Sequence, residues 1–119
     1  MKWQDEINEN IKFGLVEMLI LALLIKKDMY GYKLKTALVD KTNGAMAIKE
    51  GSLYGPLYRM EERKLISSRR ELVGEKRFRV YYHIEPLGKE YLDYAVKMFR
   101  VVYGGVNQLL EEFYTDESA

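Results

Sequence analysis

The sequence has 119 residues, 19 Lys and Arg, 18 Asp and Glu, one His and no Cys. That length suits one domain, and 48% hydrophobic with 31% charged residues is the composition of a folding chain. Without Cys, disulfides and Cys-based metal centres are excluded, and a single His leaves little for a zinc site or a His-based triad, so neither a metal nor a cofactor is expected.

The longest apolar run, Met18 to Ile25, is far below the roughly 20 residues that cross a bilayer. It lies behind Asp5, Glu6, Glu9 and Glu17, which does not suit a signal peptide. A cytoplasmic protein with no membrane partner is the expectation. The net charge of +1 conceals segregation. Residues 26–79 carry fourteen basic and seven acidic side chains, net +7, whereas residues 101–119 carry four acidic and no basic ones. A basic middle between acidic ends suits a polyanion contact made by one part of the fold.

In chain order, Ile7, Ile11, Leu15, Met18, Leu19, Ala22 and Leu23 recur at three and four, which predicts one amphipathic helix over about 5–26. Ile20, Leu21, Leu24 and Ile25 widen the stripe, so its second half is expected to be buried nearly all round. Tyr30, Leu34, Ala37 and Leu38 share a face of a second helix, about 31–41, stopped by Asn43 and Gly44. Ser52 is placed to cap a third helix, which carries Leu53, Leu57 and Met60 at helical spacing. Beyond Ile66 the period changes to two. Phe78, Val80, Tyr82 and Ile84 alternate with Arg77, Arg79, Tyr81 and His83 after a turn at Gly74 to Lys76. This predicts an antiparallel hairpin with one buried and one polar face.

Pro86 suits the first turn of a long last helix, about 86–114. Leu92, Val96, Phe99, Tyr103, Val106, Leu110 and Phe113 follow one another by alternating steps of four and three, the a/d spacing of a coiled coil. A stripe that long on a terminal helix implies self-association. Gly104 and Gly105 interrupt it, which suits close helix approach or a kink.

Three helices, a basic hairpin and a long helix make a mainly α (α+β) winged helix-turn-helix plan, with a two-stranded wing and a C-terminal dimerisation helix. Residues 1–85 form the DNA-binding unit, and 86–119 the dimerisation helix and acidic tail. The second helix of the turn-helix pair enters the major groove, and the wing lies along phosphates. Lys33, Lys35, Lys49, Ser52, Tyr54, Tyr58 and Arg59 are the candidate DNA contacts on the helices; Lys76, Arg77 and Arg79 are those on the wing. A protein–protein module on the same fold is the alternative, though it has no need of net +7 on the middle elements.

Specific residues strengthen this plan. The segment Gly14 to Leu24, the Tyr30 to Leu34 pentapeptide, Gly51 to Tyr54 with Leu57 and Arg59 to Glu61, Leu65 to Ser67, Tyr82 to Ile84, and Gly88 together resemble the PadR family of transcriptional regulators. The resemblance spans about residues 13–92. The single helix after the wing is similar to the smaller subfamily, in which that helix forms the dimer. The resemblance implies a homodimeric repressor of double-stranded DNA that is released by a small molecule. It also implies that an aromatic of the last helix lies beside a flat apolar ligand at the dimer centre, near Phe99. Trp3, Leu92, Val96, Met98, Phe99, Val102, Tyr103, Val106 and Leu110 are the candidates for the seam and the pocket. Two positions depart from the family pattern. Gly55 stands where Pro is usual and Pro56 follows it, which predicts a recognition helix bent at its start or begun late. Glu85 replaces a Thr before the last helix, losing a cap but leaving an acid at the helix N-terminus.

Overall fold

The first apolar stretch is two helices, not the one expected over 5–26. In the computed structural model, which describes residues 2–114, these are α1 (Trp3–Phe13) and α2 (Val16–Leu24). They part at Gly14, the poorest helix former in the stretch, where the Leu15 N–H bonds back to the Lys12 carbonyl at 2.9 Å. The apolar positions of α1 form only a narrow line, and it buries none of its residues. By contrast α2 is apolar on almost every side and sinks Val16, Ile20, Leu21 and Leu24 into the core. Ala22 and Ile25 stay exposed, so α2 is covered on most of its surface rather than all round.

Around α2 pack α3 (Gly31–Asp40), α4 (Gly51–Glu62) and the start of α5 (Pro86–Phe113). Leu34, Leu38, Leu53, Leu57 and Met60 close the core with it. The turn between α3 and α4 forms as its residues dictate: Asn43 and Gly44 take φ of 51° and 86°, the left-handed region. The Thr42 hydroxyl donates to the Leu38 carbonyl and accepts from the Met46 N–H.

The cap expected of Ser52 is absent. The residue before α4 is Glu50, no side chain caps the helix, and Ser52 is its second residue. Nor does α4 begin late: it starts at Gly51 and runs through Pro56, whose ring is buried. The end of α4 is closed by a Schellman pair, Leu65 N–H to Met60 O at 2.9 Å and Lys64 N–H to Glu61 O at 3.0 Å. This places Lys64, a residue with a side chain, at φ 63°.

The sheet has order β1-β3-β2, with β1 (Met29–Tyr30), β2 (Ile66–Val73) and β3 (Arg77–Ile84) antiparallel. The two-residue β1 adds a strand to the expected wing by pairing Met29 with Tyr82 and Tyr30 with Tyr81. The period-two alternation is real, but only its base is buried. Ile84 and Tyr82 lie in the core, whereas Val80 and Phe78 are exposed, with Arg70 4.5 Å over the Phe78 ring. The outer half of the hairpin extends past the core, so its apolar face meets no second layer.

The first turn of α5 is pressed against the β2 entry. A Cβ on Gly88 would lie 2.1 Å from the Leu65 carbonyl oxygen, so only glycine fits. Beyond Val102 the helix leaves the body of the fold, giving extents of 58 × 33 × 22 Å. It runs unbroken through Gly104 and Gly105, and no atom lies near either. The acidic Asp116 and Glu117 of the tail fall outside the described residues.

Candidate nucleic-acid interface

Burial of Leu53, Pro56, Leu57 and Met60 fixes which way α4 faces. The opposite side, at 3.6 residues per turn, is Gly51, Gly55, Tyr58 and Glu62, all exposed. Tyr58 is 67% exposed, against 46% for Tyr54. The other candidates on α4 lie to either side. Arg59 turns toward α1, with its guanidinium 5.8 Å over the Phe13 ring, and Arg63 behind it is 3.8 Å from Glu17. Tyr54 lies against the start of α3, where a Cβ on Gly31 would come within 3.0 Å of its hydroxyl. Ser52 and Lys49 border a groove of about 570 Å³ between α1 and α4. Lys33 is exposed and Lys35 half-buried on α3.

On the wing, Lys76 and Arg77 are exposed at the tip. Arg79 lies 4.2 Å over Tyr30, which meets Tyr81 edge-on at 5.5 Å, and Arg69 lies over the other ring. Asp28 ties this face together. His83 Nδ1 is 2.7 Å from its Oδ1, and Arg69 pairs with its Oδ2. The His83 hydrogen bond, and then Arg69, hold the Asp28 carboxyl below its ordinary 3.8, against the opposing effect of burial. Sequence reasoning assigned no role to Asp28, Arg69 or His83. Separations of 41 and 55 residues leave no local pattern by which to pair them.

The last helix carries the other candidate set. Leu92 is buried and Val96 half-buried; Phe99, Tyr103, Val106, Leu110 and Phe113 are exposed. Phe99 and Tyr103 stack at 5.7 Å. Met98, Phe99 and Val102 line a groove of about 510 Å³ with Phe13, Leu15 and Met18. Trp3 is not part of that groove and is 65% exposed on α1. Among the described residues no helix is long and apolar enough to cross a membrane, and no group of three metal-ligating side chains occurs.

A helix-turn-helix of α3 and α4, followed by a basic β-hairpin, defines a winged-helix protein of the nucleic-acid-binding kind. Residues 20–94 match the transcriptional regulator PadR-like family, more than half of the chain. The chain belongs to that family of transcriptional regulators. A PadR-like transcriptional regulator from Bacillus cereus is similar at 34% identity and TM-score 0.72, covering 85% of this chain and 96% of that one. A transcriptional regulator from Clostridium thermocellum is 29% identical at TM-score 0.76, over 89% and 99%. An uncharacterised protein of Lysinibacillus sphaericus is 32% identical over 105 residues, 88% of this chain and 96% of its own. The PadR of Bacillus subtilis, solved in complex with operator DNA, shares the fold at TM-score 0.62 and 23% identity, over 66% of this chain and 45% of that one.

Proposed function

We propose that this chain is a homodimeric repressor that holds a palindromic operator and releases it when a flat apolar molecule binds beside α5. Residues 1–85 act as the DNA-binding unit and 86–119 as the dimerisation segment. The observation that carries this reading is the contrast within α5. Its first part is packed on a complete winged-helix core, whereas its heptad stripe from Phe99 to Phe113 is exposed. A second copy covers that stripe, and two-fold symmetry then presents two α4 helices to half-sites about 34 Å apart. Lys33, Lys35, Lys49, Lys76, Arg77 and Arg79 neutralise phosphates, while Tyr58 meets base edges. A groove of about 510 Å³ is within the range of small-molecule sites. Its Phe99, backed by Tyr103, offers a ring face to a planar ligand.

Fluorescence anisotropy with labelled duplex DNA at rising salt, run beside light scattering, tests the proposal. The expected mass is twice 14.0 kDa. Lys76→Ala and Arg77→Ala should each lower the salt slope by about one. A planar apolar dye should weaken DNA binding, and DNA should weaken dye binding by the same factor. Phe99→Ala should lose the dye and keep the DNA. A mass of one chain, or no DNA binding at low salt, overturns the reading; the second result favours a protein–protein module.

A further inference from the structure

Asp28 and Tyr30, which lead into α3, both engage the wing. Tyr30 is half-buried; its backbone pairs with Tyr81, and the Tyr81 ring meets its own edge-on at 5.5 Å. Over the Tyr30 ring, 4.2 Å from the centroid, lies the Arg79 guanidinium. The next residue in the chain, Gly31, lies against the Tyr54 side chain of α4. Tyr30 therefore sets Arg79 at a fixed place relative to the helix that the DNA-binding reading puts in the major groove.

Two arginines of this face are treated differently. Arg69 meets two carboxylates: it pairs with Asp28, and its Nε lies 2.9 Å from Glu71. Glu71 stands directly opposite Arg79 in the β2–β3 register, yet its carboxylate turns to Arg69. Among the described residues no carboxylate pairs with Arg79, whose partner is a neutral ring. A stacked guanidinium keeps its charge and its N–H groups for an anion. It has also already given up side-chain freedom that binding would otherwise remove. Building on the DNA-binding reading above, we infer that Tyr30 is a positioning residue that holds Arg79 ready as a phosphate contact, while Asp28 and Glu71 withdraw Arg69 from that role.

Fluorescence anisotropy with labelled duplex of random sequence, at rising salt, is the test. Arg79→Ala should lower the salt slope by about one. Tyr30→Leu should weaken binding about fivefold, the cost of ordering one long side chain on contact. Tyr30→Phe keeps the ring face and should bind as wild type does. In the Arg79→Ala background Tyr30→Leu should weaken nothing further, which a general effect on the shape of the wing would not give. Arg79 is exposed, so Arg79→Lys folds whether or not Tyr30→Leu does. Its ammonium keeps the charge but has no planar group to stack, so it should retain the slope and lose about threefold in affinity. Arg69→Gln combined with Glu71→Gln leaves the net charge unchanged and should match wild type in both affinity and slope. The inference is overturned if Arg79→Ala leaves the slope unchanged, or if Arg79→Lys binds as tightly as wild type. It is equally overturned if Tyr30→Leu costs as much with Arg79 absent as with it present, or if the Arg69 and Glu71 double substitution lowers the slope by about one. A wild-type protein that binds no duplex at low salt overturns instead the DNA-binding reading on which the inference rests.

Discussion

Helices α2 and α5 are both written largely in apolar residues, and the chain treats them oppositely. Apolar on most of its surface, α2 has Ile20 and Leu21 wholly buried. Apolar on one heptad stripe, α5 buries only Gly88 and Leu92. One domain of this size can enclose a single central helix, and once α2 has been enclosed no second layer remains for α5. Helix α1 shares the fate of α5, with Ile7, Ile11 and Phe13 exposed. A broad apolar stripe therefore says that a surface will be covered, and the balance of core against length says whether the same chain covers it.

The sharpest way to break this comparison is to damage each helix and read two quantities. Leu21→Ala removes a fully buried side chain and should lower unfolding free energy by about 3 kcal/mol. The mass in solution should not change, because Leu21 faces only its own core. Val106→Asp should do the reverse. Val106 is half-exposed in one chain, so the winged unit tolerates the carboxylate, but a covered seam does not, at a cost of about 2–4 kcal/mol to association. Light scattering should fall from twice 14.0 kDa to 14.0 kDa with the helical signal retained. Equal effects of the two substitutions on both readouts would mean that α5 is not a surface set apart from the core.

What is legible in the residues alone follows the same line. Periodicity is a local property, so the α4 stripe, the α5 heptad and the alternation of β3 were legible. Three things were not. The break at Gly14 divides one continuous stripe, because Leu15 and Met18 keep the spacing while the helix stops. Strand β1 has two residues and owes its existence to Tyr81 and Tyr82, about fifty positions away. Phe78 and Val80 alternate as faithfully as Tyr82 and Ile84, and distance from the core, which no period encodes, leaves them exposed. At the site, the basic residues were visible by type, but their directions were not. Arg59 resembles a groove contact in sequence, yet it turns toward Phe13 because position 59 falls on the α1 flank of α4.

A smaller effect separates the wing from the helices by pH. Asp28 titrates below its ordinary 3.8 in the folded chain because His83 and Arg69 stabilise its charged form. A depressed folded pKa means that the unfolded chain takes up the proton more readily. The contribution is therefore complete above about pH 4 and is lost as pH falls through the folded value. Asp28→Asn should lower stability by about 1 kcal/mol at pH 7, less at high salt, and by progressively less as pH falls below about 4. A difference from wild type that persisted unchanged at pH 2 would assign the loss to packing and not to charge.

The smallest effect has the opposite sign and tests whether core and α5 are energetically separate. Lys64 closes the end of α4 at φ 63°, where a residue with a Cβ is strained by about 1–2 kcal/mol. Glycine relieves that strain, although its freer unfolded chain takes back about 0.5–1 kcal/mol. Lys64→Gly should therefore stabilise the fold by about 0.5–1 kcal/mol, raising the urea midpoint without altering the slope. Lys64 and Val106 share no contact, so the gain should be the same in wild type and in Val106→Asp. The two backgrounds should differ in another respect. The midpoint of a wild-type dimer rises with protein concentration by mass action, whereas that of the Val106→Asp monomer does not. A gain from Lys64→Gly that vanished in the monomer would show that the seam reaches back through α5 to the end of α4, and the division between a self-sufficient core and a surface awaiting a partner would have to be redrawn there.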